Sequence, residues 1–468
     1  MTTKTQEQIT TTTTVTPTRK TLSYISGFPL VGNLPEFMKD RLNFMLRMAN
    51  TGEACGMHFG PFPVILFNKP EHVQSIFVEH GYDFDRGAGF HDTLPSLIGE
   101  NIFSHEGEVH RNQRRRMTPP FQPRHIISYA TTMGYYGEHI QQTWPDGATI
   151  DIYQQMRSLT MSIAGKTLFN TDVFSETDQL GAGMLTVLGH ISYILSTLFP
   201  LPYNWPFLPR NRRTYKALPV VRTHLQHFID ERRAALARSE GADCGSDLLS
   251  ILLQARDEDG HPMSDEQLVA ECIALFGAGY ETVATVLAWI WCLLCQHPQC
   301  YQKVQQEVDS VLQGRTPTYS DLAQLPYCLQ VFKETMRLYP PIPAISRRAL
   351  CDIEIDGYPV PKGQVVLVSP YALHRQERYF PHPEQFEPEH FAPEREKQLP
   401  RYVYMPFGAG PRICIGNHFA MLMGHLLLAT LAQRVSFSLV PGQTIKPTLV
   451  NSMTWRPEGI VRMTIRKR

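Results

Sequence analysis

The sequence has no charge to spare. Its 468 residues carry 44 Lys and Arg against 44 Asp and Glu. That balance leaves no basic footprint for nucleic acid. It also lacks an apolar stretch at its start. Met1 to Thr21 is polar and threonine-rich, the composition of a disordered tail and not of a signal peptide or membrane anchor. Residues 22–468 then read as one domain, with no internal repeat and no appended flavin or iron–sulfur module. Cysteine is scattered: of nine, only Cys292-x-x-Cys295 has the spacing of a metal or redox pair, and it has no second pair or histidine partner. Core cysteines in a reducing cytoplasm are the expectation. Long apolar runs are few. Ala270–Cys295 contains Glu271 and Glu281, and Phe419–Ala432 is too short to cross a bilayer, so both predict core helices.

What is present centres on Phe407-Gly408-Ala409-Gly410-Pro411-Arg412-Ile413-Cys414-Ile415-Gly416. A cysteine sits where a glycine-rich turn becomes an apolar helix, Asn417 to Gln433. Helix N-termini present unpaired N–H groups and a partial positive charge, which favour thiolate over thiol. Gly408 and Gly410 permit a tight turn and close approach to a flat ligand. Phe407 can shield the sulfur, Gly416 removes bulk beneath the ligand, and Arg412 adds a fixed positive charge. The plainer alternative is a structural cysteine in an ordinary strand–turn–helix.

Upstream, Ser264-Asp265-Glu266-Gln267 fits a capping box. It opens a run of about thirty residues that His297-Pro298 ends. Ala278-Gly279-Tyr280-Glu281-Thr282 lies in its middle. Glycine there costs about 1 kcal/mol relative to alanine, so room for a ligand is the expected reason. Thr282 can divert a backbone hydrogen bond and open the turn. His110 and Arg114 share a helix face, four residues apart, as do Glu334 and Arg337, three apart. His58–Phe67 reads as a hairpin, Asp83–Gly99 as irregular, Asp352–Ser369 as strands, and Val435–Leu439 and Ile460–Ile465 as further strands. The Pro/aromatic stretch from Phe199 to Pro209 and the polar stretch Ser239–Gly245 read as loops.

The cysteine string resembles the haem-binding loop of the cytochrome P450 family, F-x-x-G-x-R-x-C-x-G. Ala278–Thr282 satisfies that family's A/G-G-x-D/E-T, and Glu334–Arg337 its E-x-x-R; the resemblance covers essentially everything after the tail. It implies a mostly α fold with a smaller β-rich part, with haem b between the long central helix and the cysteine-loop helix. Cys414 is then the axial iron ligand, whose thiolate favours O–O cleavage. His110, Arg114, and Arg347 or Arg348 meet the haem propionates. Glu281 and Thr282 deliver protons during dioxygen activation. Phe90, Leu94, Leu97, Leu275, Ala278, Gly279, Ile342, Ala344, Ile345 and Met453 line a substrate pocket, and the stretch to Pro209 roofs it. Two departures stand out. Val283 follows Thr282 where many members have threonine or serine. His390 replaces the third arginine that normally joins Glu334 and Arg337.

The implied activity is insertion of one oxygen atom of O2 into a C–H or C=C bond of a hydrophobic molecule. The apolar lining leans toward a terpenoid or steroid-like substrate, with no obvious cluster to anchor a carboxylate and Arg86 one candidate. Electrons come ultimately from NAD(P)H through a separate ferredoxin or flavodoxin with its reductase. Arg111, Arg115 and Arg116 form either a solvated basic face or a docking surface for such an acidic partner. A monomer is expected. The rivals are a fatty-acid hydroxylase, a haem-thiolate isomerase or peroxygenase, and a non-catalytic haem sensor.

Overall fold

A computed structural model describes residues 20–87, 89–171, 179–196, 205, 207–238, 247–449 and 454–468. The expected loops at 199–209 and 239–245 fall largely outside these residues, as does Met453. The tail does not extend to residue 21: Lys20 Nζ already bonds Asp356 at 2.8 Å. Strand Ser23–Tyr24 then pairs parallel to Cys55 and Gly56.

Helices dominate. Gly107–Met117, Ala130–Gln142, Ile152–Phe169, Gln179–Ser196, Pro209–Arg238, Pro298–Leu312, Pro326–Leu338 and Asn417–Arg434 surround the longest, Asp265–Gln296. Ser264 caps that helix by accepting from Gln267 N, and His297-Pro298 closes it. Its 32 residues span about 48 Å at 1.5 Å each. It is apolar and long enough to cross a membrane, yet it lies mostly inside the protein and serves as core. Its two halves belong to different cores. Residues 268–280 pack with Ile152–Phe169, Gln179–Ser196 and Pro209–Arg238, while residues 283–294 pack with Pro298–Leu312, Pro326–Leu338 and the cysteine helix. Cys292 and Cys295 are free thiols in that second half, and burial pushes the Cys295 thiol up to about 12.

The β part is smaller. A six-stranded sheet runs Ser23–Tyr24, Ala54–Phe59, Phe62–Phe67, Val365–Val368, Ile345–Ala349, Phe84–Asp85. The expected hairpin is in it, with Phe59 opposite Phe62. A three-stranded sheet joins Val435–Leu439, Arg462–Lys467 and Thr149–Asp151. Asp83–Gly99 is more regular than expected. After Phe84–Asp85 come one wide turn at Gly89–Thr93 and a short helix, Leu94–Ile98. Pro95 suits the start of that helix, and Gly99, at φ 95°, stops it.

Candidate active site

A single cavity of about 1090 Å³ lies between the central helix and the cysteine loop. Each wall follows from a local feature of the chain.

The floor is the cysteine loop. Gly408 and Gly410 adopt φ 74° and 70°, the left-handed region that glycine enters without strain. A Cβ on Gly410 would stand 1.7 Å from the Phe77 carbonyl oxygen. The loop closes on itself: Gly408 N donates to Met405 O and Cys414 N to Phe407 O, both at 3.0 Å. Cys414 lines the cavity and is exposed to its space. The helix-terminus argument for a free thiolate does not win here. Desolvation by the surrounding protein raises the thiol's pKa, against the Gly416 N–H and Arg114, which pull it down. A thiol desolvated in this way loses its proton readily to a metal ion and poorly to water. Phe407, Gly408, Arg412 and Gly416 line the same floor.

The loop's position is set from behind. Arg337 and Glu334 have no solvent exposure and share two 2.8 Å bonds, Nε to Oε2 and Nη2 to Oε1. The remaining Arg337 donors reach the carbonyls of Pro383 (2.7 Å), Gln385 (2.9 Å) and His374 (3.0 Å). The His374 ring in turn accepts from Met405 N at 3.0 Å, and Met405 begins the loop. Burial and Arg337 push His374 down to about 3, so its Nε2 lone pair stays free to accept. No sequence motif marks His374.

One side wall is cationic. His110, Arg114, Arg347 and Arg412 line it, and so does Arg86. Arg412 pairs with Glu106, and Arg348 with Asp85 at 2.6 Å. Arg347 is only 8% exposed and has no carboxylate at ion-pair distance among the described residues; the same holds for Arg86 and Arg114. The shortage of counter-charge shows in their acidities. Desolvation, then Arg412, lowers Arg347 to about 10. Desolvation, then Arg347 and Arg412, lowers Arg86. Desolvation, then Arg412, Arg114 and Arg86, lowers His110 to about 3, leaving a neutral imidazole. Buried cations without partners are costly, and a dianionic ligand relieves that cost. Arg86 thus belongs with this cluster, not at a separate substrate-carboxylate site; it also lies 3.9 Å from the Phe90 ring.

The opposite wall is the central helix. Ala278, Gly279, Glu281 and Thr282 line the cavity. Thr282 Oγ1 donates to Ala278 O at 2.8 Å, the bond by which a threonine hydroxyl competes for the carbonyl one turn back. A Cβ at Gly279 would meet nothing within 4 Å, whereas one at Gly277 would stand 2.4 Å from Leu188 Cδ2. Gly279 therefore leaves ligand space, and Gly277, missed in the sequence, permits close helix packing.

Phe90, Leu94, Leu275, Ile342, Ala344 and Ile345 also line the cavity. Leu97 does not. It is fully buried in the core beside Leu94, because on the short helix Leu94 and Ile98, four apart, turn to the cavity and Leu97 turns away. Leu188, Ile191 and Leu195 of Gln179–Ser196 add an apolar wall that sequence did not single out, since its periodicity is that of any core helix. The basic residues Arg111, Arg115 and Arg116 are paired with Glu108 (2.6 Å), Glu258 (2.5 Å) and Asp257 (2.9 Å), and Arg116 is nearly buried. They do not form an unpaired basic face.

Taken together, a thiol at the floor, unpaired cations at one side and an apolar roof suit haem. Cys414 would hold its iron. Arg86, Arg114, Arg347, Arg412 and His110 would hold its carboxylates.

Comparison with known proteins agrees. Residues 23–463 match the family model for cytochrome P450. Cyclooctat-9-en-7-ol 5-monooxygenase of Streptomyces melanosporofaciens is 34% identical, covering 89% of this chain and 89% of that protein. Cyclooctatin synthase of the same organism is 33% identical over 92% of this chain and 93% of its own. The solved structure of retinoic acid bound cyanobacterial CYP120A1 superposes with a TM-score of 0.83 at 25% identity, covering 96% of this chain and all of that one.

Proposed function

This chain belongs to the cytochrome P450 family as a monooxygenase, and on that footing we propose that it hydroxylates a cyclic terpenoid-like hydrocarbon on a haem b ligated by Cys414. One observation carries the substrate class. The cavity has to hold haem and substrate together, and beyond the cationic wall its lining is almost wholly apolar, from Phe90, Leu94, Leu188, Ile191, Leu275 and Ile342. The names of the two Streptomyces relatives, a cyclooctatin synthase and a cyclooctat-9-en-7-ol 5-monooxygenase, point the same way to a cyclic substrate. Of the cavity's arginines, Arg86, Arg114, Arg347 and Arg412 group at the haem carboxylates and Arg348 pairs with Asp85, while Arg41 lines a separate part of the wall beside Met45 and Phe59.

Bound haem supplies the redox chemistry of dioxygen. The chain supplies the rest. The apolar walls exclude water and seat the substrate. Gly279 and Ala278 leave space above the ring plane. Thr282 holds a proton on Oγ1, anchored to Ala278 O, and the Glu281 carboxyl resupplies it. Electrons originate from NAD(P)H and arrive through a separate ferredoxin, or failing that a flavodoxin. Because Arg111, Arg115 and Arg116 are already paired, that partner gains little from them. We place the protein in the cytoplasm as a monomer.

The test is an optical titration of the ferric haem protein with terpenoids, steroids and fatty acids. A low-to-high-spin shift with cyclic terpenoids, followed by turnover with ferredoxin, is the expected result. A shift confined to fatty acids overturns the substrate class. Cys414→His should abolish oxygenation, and retained activity would refute Cys414 as the ligand.

A further inference from the structure

Arg41 lines the cavity but stands apart from the cationic wall, and the six-stranded sheet separates the two. Side chains alternate faces along a strand. Ile65, Val366, Val368 and Ile345 pack on one face, with Met405 and Ala409 of the cysteine loop. Arg347 shares that face. It is two residues from Ile345 and lies 4.9 Å from the ring of Phe77, in the same cluster. Val64, Leu66, Val365 and Leu367 take the opposite face. There Leu367 and Ala344 meet Met45 and Trp455. Arg41 opens the helix Arg41–Thr51, and Met45, four residues on, shares its side of that helix.

The cavity therefore has a second chamber, on the far face of the sheet from Arg347. Phe37, Met45, Phe59, Val64, Leu449 and Trp455 line it around Arg41. It joins the haem space where the chain passes from Ala344 on one face to Ile345 on the other. The Arg41 guanidinium lies 5.2 Å from the Phe37 ring, which lies 4.8 Å from that of Phe59. Desolvation lowers its pKa. The acids beside it in sequence serve other groups: Asp40 accepts from Asn43 N and Nδ2 at 3.1 and 2.6 Å, and Glu36 pairs with Arg47. A cation drawn in among aromatic and aliphatic side chains loses hydration, and an incoming anion offsets that loss.

We propose that Arg41 anchors the substrate: a carboxylate at one end of an apolar body docks on its guanidinium in this chamber, and the other end reaches the haem space. A planar guanidinium presents paired N–H donors that match the two oxygens of a carboxylate. The chamber's apolar lining takes the body next to that carboxylate. The proposal rests on the terpenoid reading and sharpens it, since the terpenoid then carries an acid. A fatty acid offers the same carboxylate, and the experiment separates the two sources.

The test titrates the full ferric haem protein with four ligands: a cyclic terpenoid acid, its methyl ester, a long-chain fatty acid and its methyl ester. Equilibrium dialysis reads affinity beside the spin shift, so that binding is scored with or without a change at the iron. Wild type should bind the terpenoid acid at least about tenfold tighter than its ester, the scale of a hydrogen bond to a charged group. Arg41→Gln should bind the two alike, through weaker binding of the acid, with the ester moving less than about twofold. Arg41→Glu should prefer the ester. Added salt should weaken the acid and spare the ester. A wild type that binds acid and ester equally, or binds neither, overturns the proposal, as does a preference that survives Arg41→Gln. If the Arg41-dependent preference appears with the fatty acid alone, the anchor stands and the terpenoid reading fails. If the terpenoid ester binds and Arg41 adds nothing for either acid, the anchor fails and the terpenoid reading stands. Should Arg41→Gln not hold haem, Arg41→Lys decides: the preference should fall at least about threefold, and an unchanged one overturns the proposal.

Discussion

His390 Nδ1 lies 3.2 Å from Glu334 Oε1, and its Nε2 lies 2.8 Å from Pro381 O. Both neighbours are acceptors, and a ring N–H donates to the one it faces. The imidazole occupies the position where the family has an arginine, with a shorter reach. His390→Leu leaves one of these acceptors short of a donor. It should cost about 2–4 kcal/mol. Urea unfolding measures this, and His390→Gln should fall between the two.

Gly410 and Gly279 make opposite predictions from the same substitution. Gly410→Ala places a methyl into the Phe77 carbonyl and a side chain at φ 70°. It should destabilise by about 3 kcal/mol or more and weaken haem retention. Gly279→Ala meets nothing within 4 Å and should stabilise the helix by about 0.5–1 kcal/mol. Thermal melts of the two variants check both signs.

Glu271 predicts a pH dependence. It is fully buried on the central helix. Its Oε1 accepts from Gln113 Nε2 at 2.8 Å, and its Oε2 has no hydrogen-bond partner among the described residues. Burial raises its pKa from 4.5 to about 7, against the Ile102 N–H and Gln113. The folded state therefore holds this proton more tightly than the unfolded one. Its stability is complete below pH 4.5, falls as pH rises toward 7, and stays reduced above by about 3 kcal/mol. Glu271→Gln removes that loss. Urea melts at pH 5 and pH 8 should show the variant gaining on wild type at the higher pH. Parallel behaviour of the two proteins would refute the assignment.

Thr282→Ala removes the hydroxyl bonded to Ala278 O. Peroxide release should rise at the expense of product, read as the ratio of the two per NAD(P)H consumed. Unchanged coupling would sink the role given to Thr282.

The parts of the site that could be read from sequence are those whose chemistry is local. Gly408, Gly410 and Cys414 sit within seven residues, Glu281 and Thr282 are adjacent, and Glu334 and Arg337 share one helix turn. The long helix announced its cap at Ser264 and its end at His297-Pro298. What escaped depends on distant pairing. Arg86 joins Arg347 and Arg412 only after a sheet brings residues 84–85 against 348–349. His374 matters because its ring meets Met405, 31 residues on. Leu97 was misassigned because an apolar residue beside a pocket and one behind it look alike until the helix phase is known. The thiolate expected at Cys414 overlooked the desolvation of the sulfur by surrounding protein, which no spacing reveals.

The two halves of the central helix answer to different masters. Residues 287–294 are locked between helices of one core, while Leu275, Ala278 and Gly279 line the open cavity. Substitutions on that open stretch change the mould in which a substrate sits and leave the frame untouched. Selection for a new substrate can therefore proceed through a handful of side chains, each tolerated singly, without first purchasing a sturdier scaffold.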